Sequence, residues 1–251
     1  MKLKEKVAVV TGGGSGLGAE IALQLVAQGA KVALVGATER KLDAVRETIR
    51  TRGGEAAVFV ADVSDENRMV QLFSEVEAVF GGIDILYNNA GVSPEGTIET
   101  TTFEAFQKVV EIDLYGIFLG SKYVIPYMKK RGGGVIINTV GTFGLRPIPN
   151  KIGYSAAKAG AMSLTRSVAA EMAKDNIRCN AVCPGFVDTP LNKGFVGEAR
   201  EKFLDAHQPM ALRIDSADIA NMAVFLATED ARAITGQGIV IDGGTEACLY
   251  F

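Results

Sequence analysis

Thr11-Gly12-Gly13-Gly14-Ser15-Gly16-Leu17-Gly18 follows the first apolar run of the chain and leads directly into a helical pattern. Glycines at a strand-to-helix turn allow the backbone to approach a pyrophosphate, and the start of the helix supplies amide groups and a favourable dipole. A glycine run alone predicts only a tight turn. At the first strand–helix junction of a βαβ unit, the same run predicts a dinucleotide site.

Apolar runs and helical patterns alternate along the rest of the chain. The apolar runs are continuous, as is typical of strands covered by helices on both faces of a sheet. The pattern predicts an α/β fold, a doubly wound parallel seven-stranded sheet with helices on both faces. The predicted strands are residues 7–11, 32–35, 56–61, 83–88, 135–139, 177–183 and 239–241, and the predicted helices are residues 18–28, 38–51, 65–80, 102–130, 151–173 and 216–228.

No linker or repeat divides the chain, so we expect a single domain over residues 1–251. Residues 186–213 break the alternation, because they lack clean periodicity and contain two prolines. Ligands of open α/β sheets bind beyond the carboxyl ends of the strands, where this segment follows the sixth strand. We therefore interpret residues 186–213 as a substrate lid; an idle loop is the alternative.

The composition excludes several classes of function. A net charge of −3 argues against nucleic acid and anionic membranes as partners. No apolar run approaches the roughly 20 residues of a membrane span. Three cysteines and one histidine, His207, which lies in a polar segment that we expect to be mobile, predict neither a disulfide framework nor a metal site. We expect buried thiols in a reducing cytoplasm.

Tyr154 and Lys158 are four residues apart in a stretch rich in helix formers. On a helix this spacing places both side chains on one face, one turn apart. An ammonium beside a phenol favours the phenolate, so Lys158 is expected to lower the pKa of Tyr154. Such a tyrosine can exchange protons with a carbonyl or an alcohol. Taken alone, the same spacing is also that of a solvated helix face.

Four motifs, in this order and spacing, resemble those of the short-chain dehydrogenase/reductase family. They are the glycine-rich turn at 11–18, Asn88-Asn89-Ala90-Gly91, Tyr154-Ser155-Ala156-Ala157-Lys158 and Pro184-Gly185, and together they extend the resemblance over nearly the whole chain. The resemblance implies a Rossmann fold and hydride transfer between a nicotinamide cofactor and a carbonyl or secondary alcohol. It also implies that Tyr154 is the general acid and base, and that Lys158 holds the nicotinamide ribose and lowers the pKa of the tyrosine.

The family's motifs also indicate the residues that would bind NAD or NADP. The carboxylate of Asp62 is placed to accept from an adenine amine, and Thr189 to bond a carboxamide. The expected cofactor-binding residues are Gly12, Gly14, Ser15, Gly16, Leu17, Gly18, Gly36, Ala37, Thr38, Asp62, Val63, Asn89, Ala90, Gly91, Tyr154, Lys158, Pro184, Gly185, Val187 and Thr189.

Two positions depart from the family's catalytic pattern. A serine usually stands thirteen residues before the tyrosine, where this chain has Gly141. Either a tight turn requires this glycine and Thr142 replaces the serine, or the glycine makes room for a larger or self-assisting substrate, or the enzyme is weakened or diverted. The usual asparagine is Asp113, whose charge either strengthens the cationic state of Lys158 or draws that charge away from the tyrosine. The expected catalytic residues are thus Tyr154, Lys158, Asp113, Gly141 and Thr142.

The end of the second strand decides between NAD and NADP in this family. An acidic side chain there would bind the ribose hydroxyl of NAD, and a basic one the phosphate of NADP. Gly36 and Ala37 provide neither. Thr38 and Arg40 favour NADP slightly, whereas Glu39 favours NAD.

The lid and the wall after the fifth strand predict a largely apolar substrate pocket, with Arg146 as a handle for a polar or anionic group. The apolar residues concerned, which could also simply pack the lid onto the core, are Phe143, Leu145, Ile148, Pro149, Leu191, Phe195, Phe203, Met210 and Leu212.

Apolar helices at 102–130 and 151–173 and an apolar end at 247–251 predict a homodimer or homotetramer. Rival interpretations are a non-redox lyase or isomerase and a nucleotide-binding sensor on the same scaffold.

Overall fold

Seven parallel strands form the central sheet. The computed structural model describes residues 1–192 and 197–248, and in these the strands are β1 (Val7–Thr11), β2 (Lys31–Gly36), β3 (Ala56–Val60), β4 (Ile85–Asn88), β5 (Gly134–Thr139), β6 (Ile177–Pro184) and β7 (Gly238–Ile241). They lie in the order β3-β2-β1-β4-β5-β6-β7. Each predicted strand is confirmed, with its ends displaced by at most two residues.

Helices cover both faces of the sheet. They are α1 (Gly16–Ala27), α2 (Glu39–Thr51), α3 (Glu66–Phe80), α4 (Phe103–Val110), α5 (Gly116–Lys130), α6 (Ile152–Met172), α7 (Glu198–His207) and α8 (Ser216–Ala227). Val10 on β1 is buried with α1, α2 and α8, whereas its neighbour Val9 is buried with α3, α5 and α6. Because successive strand residues face opposite sides, apolar layers on both faces require the continuous apolar runs seen in the sequence.

The long helix predicted over 102–130 is interrupted in its middle. Between α4 and α5 the five residues Glu111–Tyr115 form a π-helix. A π-helical turn accommodates one more residue than an α-helical turn and often occurs at functional sites. Here it contains Asp113, which is buried completely.

The proposed lid, residues 186–213, contains more regular structure than its sequence indicates. It includes a short 3-10 turn, Pro190–Asn192, and helix α7. The α7 sequence consists largely of charged side chains, so its helix formers give little apolar periodicity. His207, predicted to lie in a mobile polar segment, ends α7, and its ring packs against Phe203 at a centroid distance of 4.5 Å.

The strand order reverses between β1 and β4, and Thr11 joins the two strands there. Its hydroxyl accepts hydrogen bonds from the backbone N–H groups of Asn89 (2.9 Å) and Ala90 (3.1 Å), and it donates to the carbonyl of Tyr87 (3.4 Å). In open α/β sheets, such a reversal opens a crevice at the carboxyl ends of the strands. The glycine-rich turn and the loop after β4 therefore border the same crevice.

Within the described ranges, no helix combines the length and the apolar character needed to cross a membrane. The described thiols, Cys179, Cys183 and Cys248, are free, and the first two are buried on β6. Residues 249–251 of the apolar chain end lie outside the described residues.

Candidate active site

The glycine-rich turn leaves its backbone accessible at the edge of the crevice. Gly12 has a φ of +65°, and a Cβ there would lie 2.9 Å from Nδ2 of Asn89. A Cβ at Gly18 would overlap the carbonyl of Gly12, so this helix–turn packing also requires glycine. No side chain caps α1 at Ser15. The first amides of α1 therefore remain available for an anion.

A cavity of about 690 Å³ opens beside this turn and extends to the ends of β4, β5 and β6. It brings together most of the residues that the sequence predicts for the site. The lining includes Gly12, Ser15, Gly16, Leu17, Asn89, Ala90, Gly91, Asp113, Gly141, Thr142, Tyr154, Lys158, Pro184, Gly185, Val187 and Thr189.

The remaining predicted cofactor residues are not among those that line this cavity. They are Gly14, Gly18, Gly36, Ala37, Thr38, Asp62 and Val63. Asp62 Oδ1 accepts from both N–H (2.9 Å) and Oγ (2.6 Å) of Ser64, and these bonds hold the pKa of Asp62 below its usual range. One oxygen of the carboxylate that is expected to accept from an adenine amine is thus bonded within its own turn.

Asp113 and Lys158 form an ion pair inside the protein. Asp113 Oδ2 lies 3.3 Å from Lys158 Nζ, and the exposed fractions of the two side chains are 0% and 2%. Asp113 Oδ1 accepts from the N–H of Val92 at 2.8 Å, and Lys158 Nζ donates to the carbonyl of Thr139 at 2.8 Å. Apart from the ion pair, Asp113 Oδ2 has no hydrogen-bond partner among the described residues. Burial raises the pKa of Asp113, although Lys158 opposes the rise.

The expected effect of Lys158 on Tyr154 is wrong for this structure. Burial raises the pKa of the Tyr154 phenol, and the Asp113 carboxylate raises it further. The ammonium of Lys158 lies 5.7 Å from the centre of the tyrosine ring and is engaged by Asp113 and Thr139. A negative charge next to the lysine cancels much of its field, so Asp113 draws the positive charge away from the tyrosine.

Gly141 occupies a backbone conformation that favours glycine, with a φ of +78°. A Cβ at this position would lie 2.7 Å from the Tyr154 hydroxyl oxygen. A serine in this conformation would therefore be strained by its backbone and by contact with the tyrosine. The hydroxyl of Tyr154 packs into the space that a side chain at position 141 would need.

Two threonines lie close to Gly141. The Thr139 hydroxyl is engaged with the oxygens of Tyr87 Oη and Asn89 Oδ1, both at 3.3 Å. Thr142 is buried and lines the cavity. Thr142 is therefore the better placed of the two hydroxyls to contact a ligand.

Aromatic rings form the wall of the cavity. The Phe143 ring meets Tyr154 and Phe186 edge to face, at centroid distances of 6.5 and 5.4 Å, and Phe186 meets Phe203 at 4.8 Å. Ile148, Pro149 and Leu191 also line the cavity. An apolar pocket is thus present, and Phe186 is an addition to the predicted wall.

Other predicted wall residues lie elsewhere. Leu145 packs against a buried cluster, and Met210 and Leu212 are exposed. Arg146, the predicted handle for a polar group, instead donates to the carbonyl of Cys248 (3.1 Å) and to Glu246 (3.4 Å). Phe195 lies outside the described residues.

The cavity also contains polar residues that the sequence analysis missed. They are Ser93, Glu95, Asn150 and Lys151, all of which line the cavity. Lys151 precedes Tyr154 by three residues, but no motif distinguishes it from a solvated lysine in the sequence. Among the described residues, no cluster of three or more His, Cys, Asp or Glu side chains could hold a metal ion.

Known proteins are similar to this chain over nearly its whole length. A family model described as enoyl-(acyl carrier protein) reductase matches residues 12–246. The 2-(R)-hydroxypropyl-CoM dehydrogenase of Xanthobacter autotrophicus is 38% identical over 251 residues, covering 96% of this chain and 99% of that protein.

Solved structures are similar over their whole length as well. The crystal structure of levodione reductase superposes with a TM-score of 0.95 at 35% identity, covering 98% of this chain and 100% of that chain. A protein from Burkholderia xenovorans, described as a short-chain dehydrogenase/reductase, has a TM-score of 0.94 at 36% identity and covers 99% of each chain. Both the sheet and the helices on its two faces are thus shared with these structures.

Replacing Gly141 by alanine should lower the free energy of unfolding by about 1–3 kcal/mol, because the new Cβ is strained and meets the Tyr154 hydroxyl. Urea unfolding measures the change. Gly153→Ala is the matched control: a Cβ there would have its nearest neighbour at an ordinary 3.6 Å, so little loss is expected. An unchanged stability in Gly141→Ala would contradict the constraint on position 141.

Proposed function

This chain belongs to the short-chain dehydrogenase/reductase family, and we propose that it transfers a hydride between a nicotinamide cofactor and a carbonyl or secondary alcohol. The observation that supports this proposal is that Tyr154, Lys158 and the glycine-rich turn border one cavity. The turn suits a pyrophosphate, and the tyrosine hydroxyl suits a substrate oxygen.

The residues of the chain fit a bound nicotinamide cofactor. The turn from Gly12 to Gly16 and the start of α1 would hold the pyrophosphate, because Gly12, Ser15 and Gly16 line the cavity and no side chain caps the helix. Pro190 and Thr189 lie against Gly16, within 3.0 and 3.5 Å of the position of a Cβ, so the first part of the lid would cover the cofactor. When bound, the cofactor supplies or accepts the hydride.

Tyr154 carries the proton step in this proposal. In reduction its hydroxyl donates a proton to the carbonyl oxygen, and in oxidation its phenolate takes the proton of the alcohol. Thr142 donates the second hydrogen bond to the substrate oxygen in place of the family's serine, since Gly141 has no side chain. Lys158 is fixed by Asp113 and the carbonyl of Thr139, and it would contact the cofactor ribose from that position.

For the cofactor we propose NADP. Gly36 ends β2 without a carboxylate for the ribose hydroxyl, and Ala37 and Thr38 are exposed beside it. The exposed Lys41 lies against the glycine-rich turn, since a Cβ at Gly14 would be 3.0 Å from the Cβ of Lys41. Together with Arg40, Lys41 would provide the positive charge that the phosphate of NADP requires.

The test of the redox proposal follows the absorbance of the reduced nicotinamide with a panel of ketones and alcohols. We expect substrate-dependent change, with a lower KM for NADPH than for NADH, and a loss of about 10²- to 10⁴-fold in Tyr154→Phe. Tyr127→Phe, on α5 beside Phe73, is the control and should keep full activity.

Two outcomes would contradict hydride transfer. Chemistry on the substrate without any change in nicotinamide absorbance would indicate a lyase or isomerase. Tight cofactor binding without chemistry on any member of the panel would indicate a nucleotide sensor.

Replacing Asp113 by asparagine should move the pH dependence of alcohol oxidation. The Asp113 carboxylate raises the pKa of Tyr154, and oxidation needs the phenolate. Removing this charge therefore lowers the pKa of Tyr154 and moves the alkaline rise in kcat/KM to lower pH. Glu111→Gln, a half-exposed residue of the same π-helix, serves as the control. A midpoint that stays in place or moves upward would contradict the role assigned to Asp113.

We also propose that the protein assembles as a homodimer or homotetramer. Three aromatic side chains, Phe103 on α4, Tyr115 in the π-helix and Phe118 on α5, are exposed on one continuous helical region. Exposed apolar patches of this kind favour association.

Light scattering should give the mass of two or four chains, and Phe118→Glu should reduce it because a charge would be buried at the interface. Val79→Glu, an exposed apolar residue of α3, is the control and should leave the mass unchanged. A wild-type protein with the mass of one chain would refute the proposed assembly.

A further inference from the structure

The proton and cofactor roles proposed above use one lysine of the cavity and leave a second, Lys151, without a function. Lys151 lines the cavity, and its side chain is only 18% exposed. A lysine with most of its surface removed from water normally has a partner that compensates its charge.

The backbone holds Lys151 in place from two sides. The N–H of Gly96 donates to the carbonyl of Asn150 at 3.0 Å, and Gly96 and Lys151 form a parallel β-bridge. Asn150 has a φ of +63°, a conformation that non-glycine residues seldom adopt. Lys151 Nζ donates to the carbonyl of Ser93 at 2.9 Å. The ammonium is therefore fixed at the cavity wall rather than left on a free stem.

The charge of Lys151 is only weakly compensated. Its carboxylate partner Glu95 lies 3.8 Å away, beyond hydrogen-bond distance, and the Glu95 side chain is 77% exposed. By contrast, Lys158 is neutralised inside the protein by Asp113. A lysine has three donor hydrogens, and the carbonyl of Ser93 accepts only one of them. Lys151 can therefore bind a further anionic group in the cavity.

Apolar surface in the same cavity complements this charge. Phe143, Phe186 and Phe203 form a continuous series of ring contacts along the cavity. A ligand that contacts both these rings and Lys151 has an apolar body and one negatively charged end. The single charge of Lys151 matches a carboxylate, which carries one negative charge, better than a phosphate group, which carries nearly two.

We propose that Lys151 binds a carboxylate of the substrate, so that the enzyme acts on oxo acids or hydroxy acids with an apolar body. This inference rests on the proposed hydride transfer and deepens it. Lys151 is a specificity-determining residue here: it recognises the charged end of the substrate, while Tyr154 acts on the carbonyl or hydroxyl.

The test compares an acid with its uncharged amide. Benzoylpropionate and benzoylpropionamide are titrated by calorimetry into the protein saturated with NADP, and both are assayed for reduction with NADPH. We expect the wild type to bind the acid more tightly. Lys151→Met should weaken acid binding by about 10- to 100-fold and change amide binding by less than about twofold. Lys151→Arg should retain most of the preference.

Two further variants serve as controls. Arg146→Met removes a cation that is engaged outside the cavity lining, and it should leave the binding of both probes unchanged. Glu95→Gln removes the competing carboxylate and should strengthen acid binding. The free energy of unfolding is measured for each variant, because Lys151 also ties residue 93 to its own segment.

Three results would overturn the inference: equal binding of acid and amide by the wild type, equal loss of both probes in Lys151→Met, or no binding of either probe. The middle result would make Lys151 a structural tie between two loops. A clear preference for the acid without oxidation of NADPH would leave the anion site standing and would instead refute the proposed hydride transfer.

Discussion

The hydroxyl of Thr11 is the point on which the site depends, because it holds together the two strands between which the cavity opens. It accepts from two successive backbone N–H groups of the loop after β4 and donates back to the carbonyl of Tyr87. Without it, those N–H groups would lose their partner at a half-buried position, and each such loss costs about 1–3 kcal/mol. The same loop continues to Val92, whose N–H binds Asp113. Through this loop, one side chain on β1 is linked to the acid that meets Lys158.

Asp113 has the larger influence on the charges at the site, because it pairs with Lys158 and raises the pKa of Tyr154. The π-helix carries the carboxylate into the core, where it lies beside the ammonium of Lys158. A neutral amide at this position would leave the lysine's charge acting on Tyr154. Burial and the carboxylate instead raise the pKa of the phenol, so Tyr154 stays protonated and is harder to ionise. Gly141 completes the arrangement, because the Tyr154 hydroxyl lies where a side chain at position 141 would be.

The cavity offers a substrate both apolar and charged contacts. The phenylalanine rings offer apolar surface to a ligand, and the ammonium of Lys151, held by the carbonyl of Ser93, offers a charge. A substrate bound by its charged end at Lys151 and by its apolar body at the rings would have a restricted orientation near Tyr154. The backbone conformation of Asn150 and the bridge to Gly96 suggest that this orientation is built into the fold.

The sequence by itself determined the strands, their parallel arrangement and most of the residues around the cavity, because continuous apolar runs and a glycine-rich turn at a strand–helix junction have few other physical solutions. It did not determine the break in the helix at Glu111–Tyr115 or helix α7, since a π-helical turn and a highly charged helix leave little apolar periodicity. Only the tertiary structure decided that the pKa of Tyr154 is raised. It also decided that Arg146 binds Glu246 and the carbonyl of Cys248, whereas Lys151 lines the cavity. Those outcomes depend on burial and on distances between charges that lie far apart along the chain, such as Asp113 and Lys158, and sequence spacing carries no information about either.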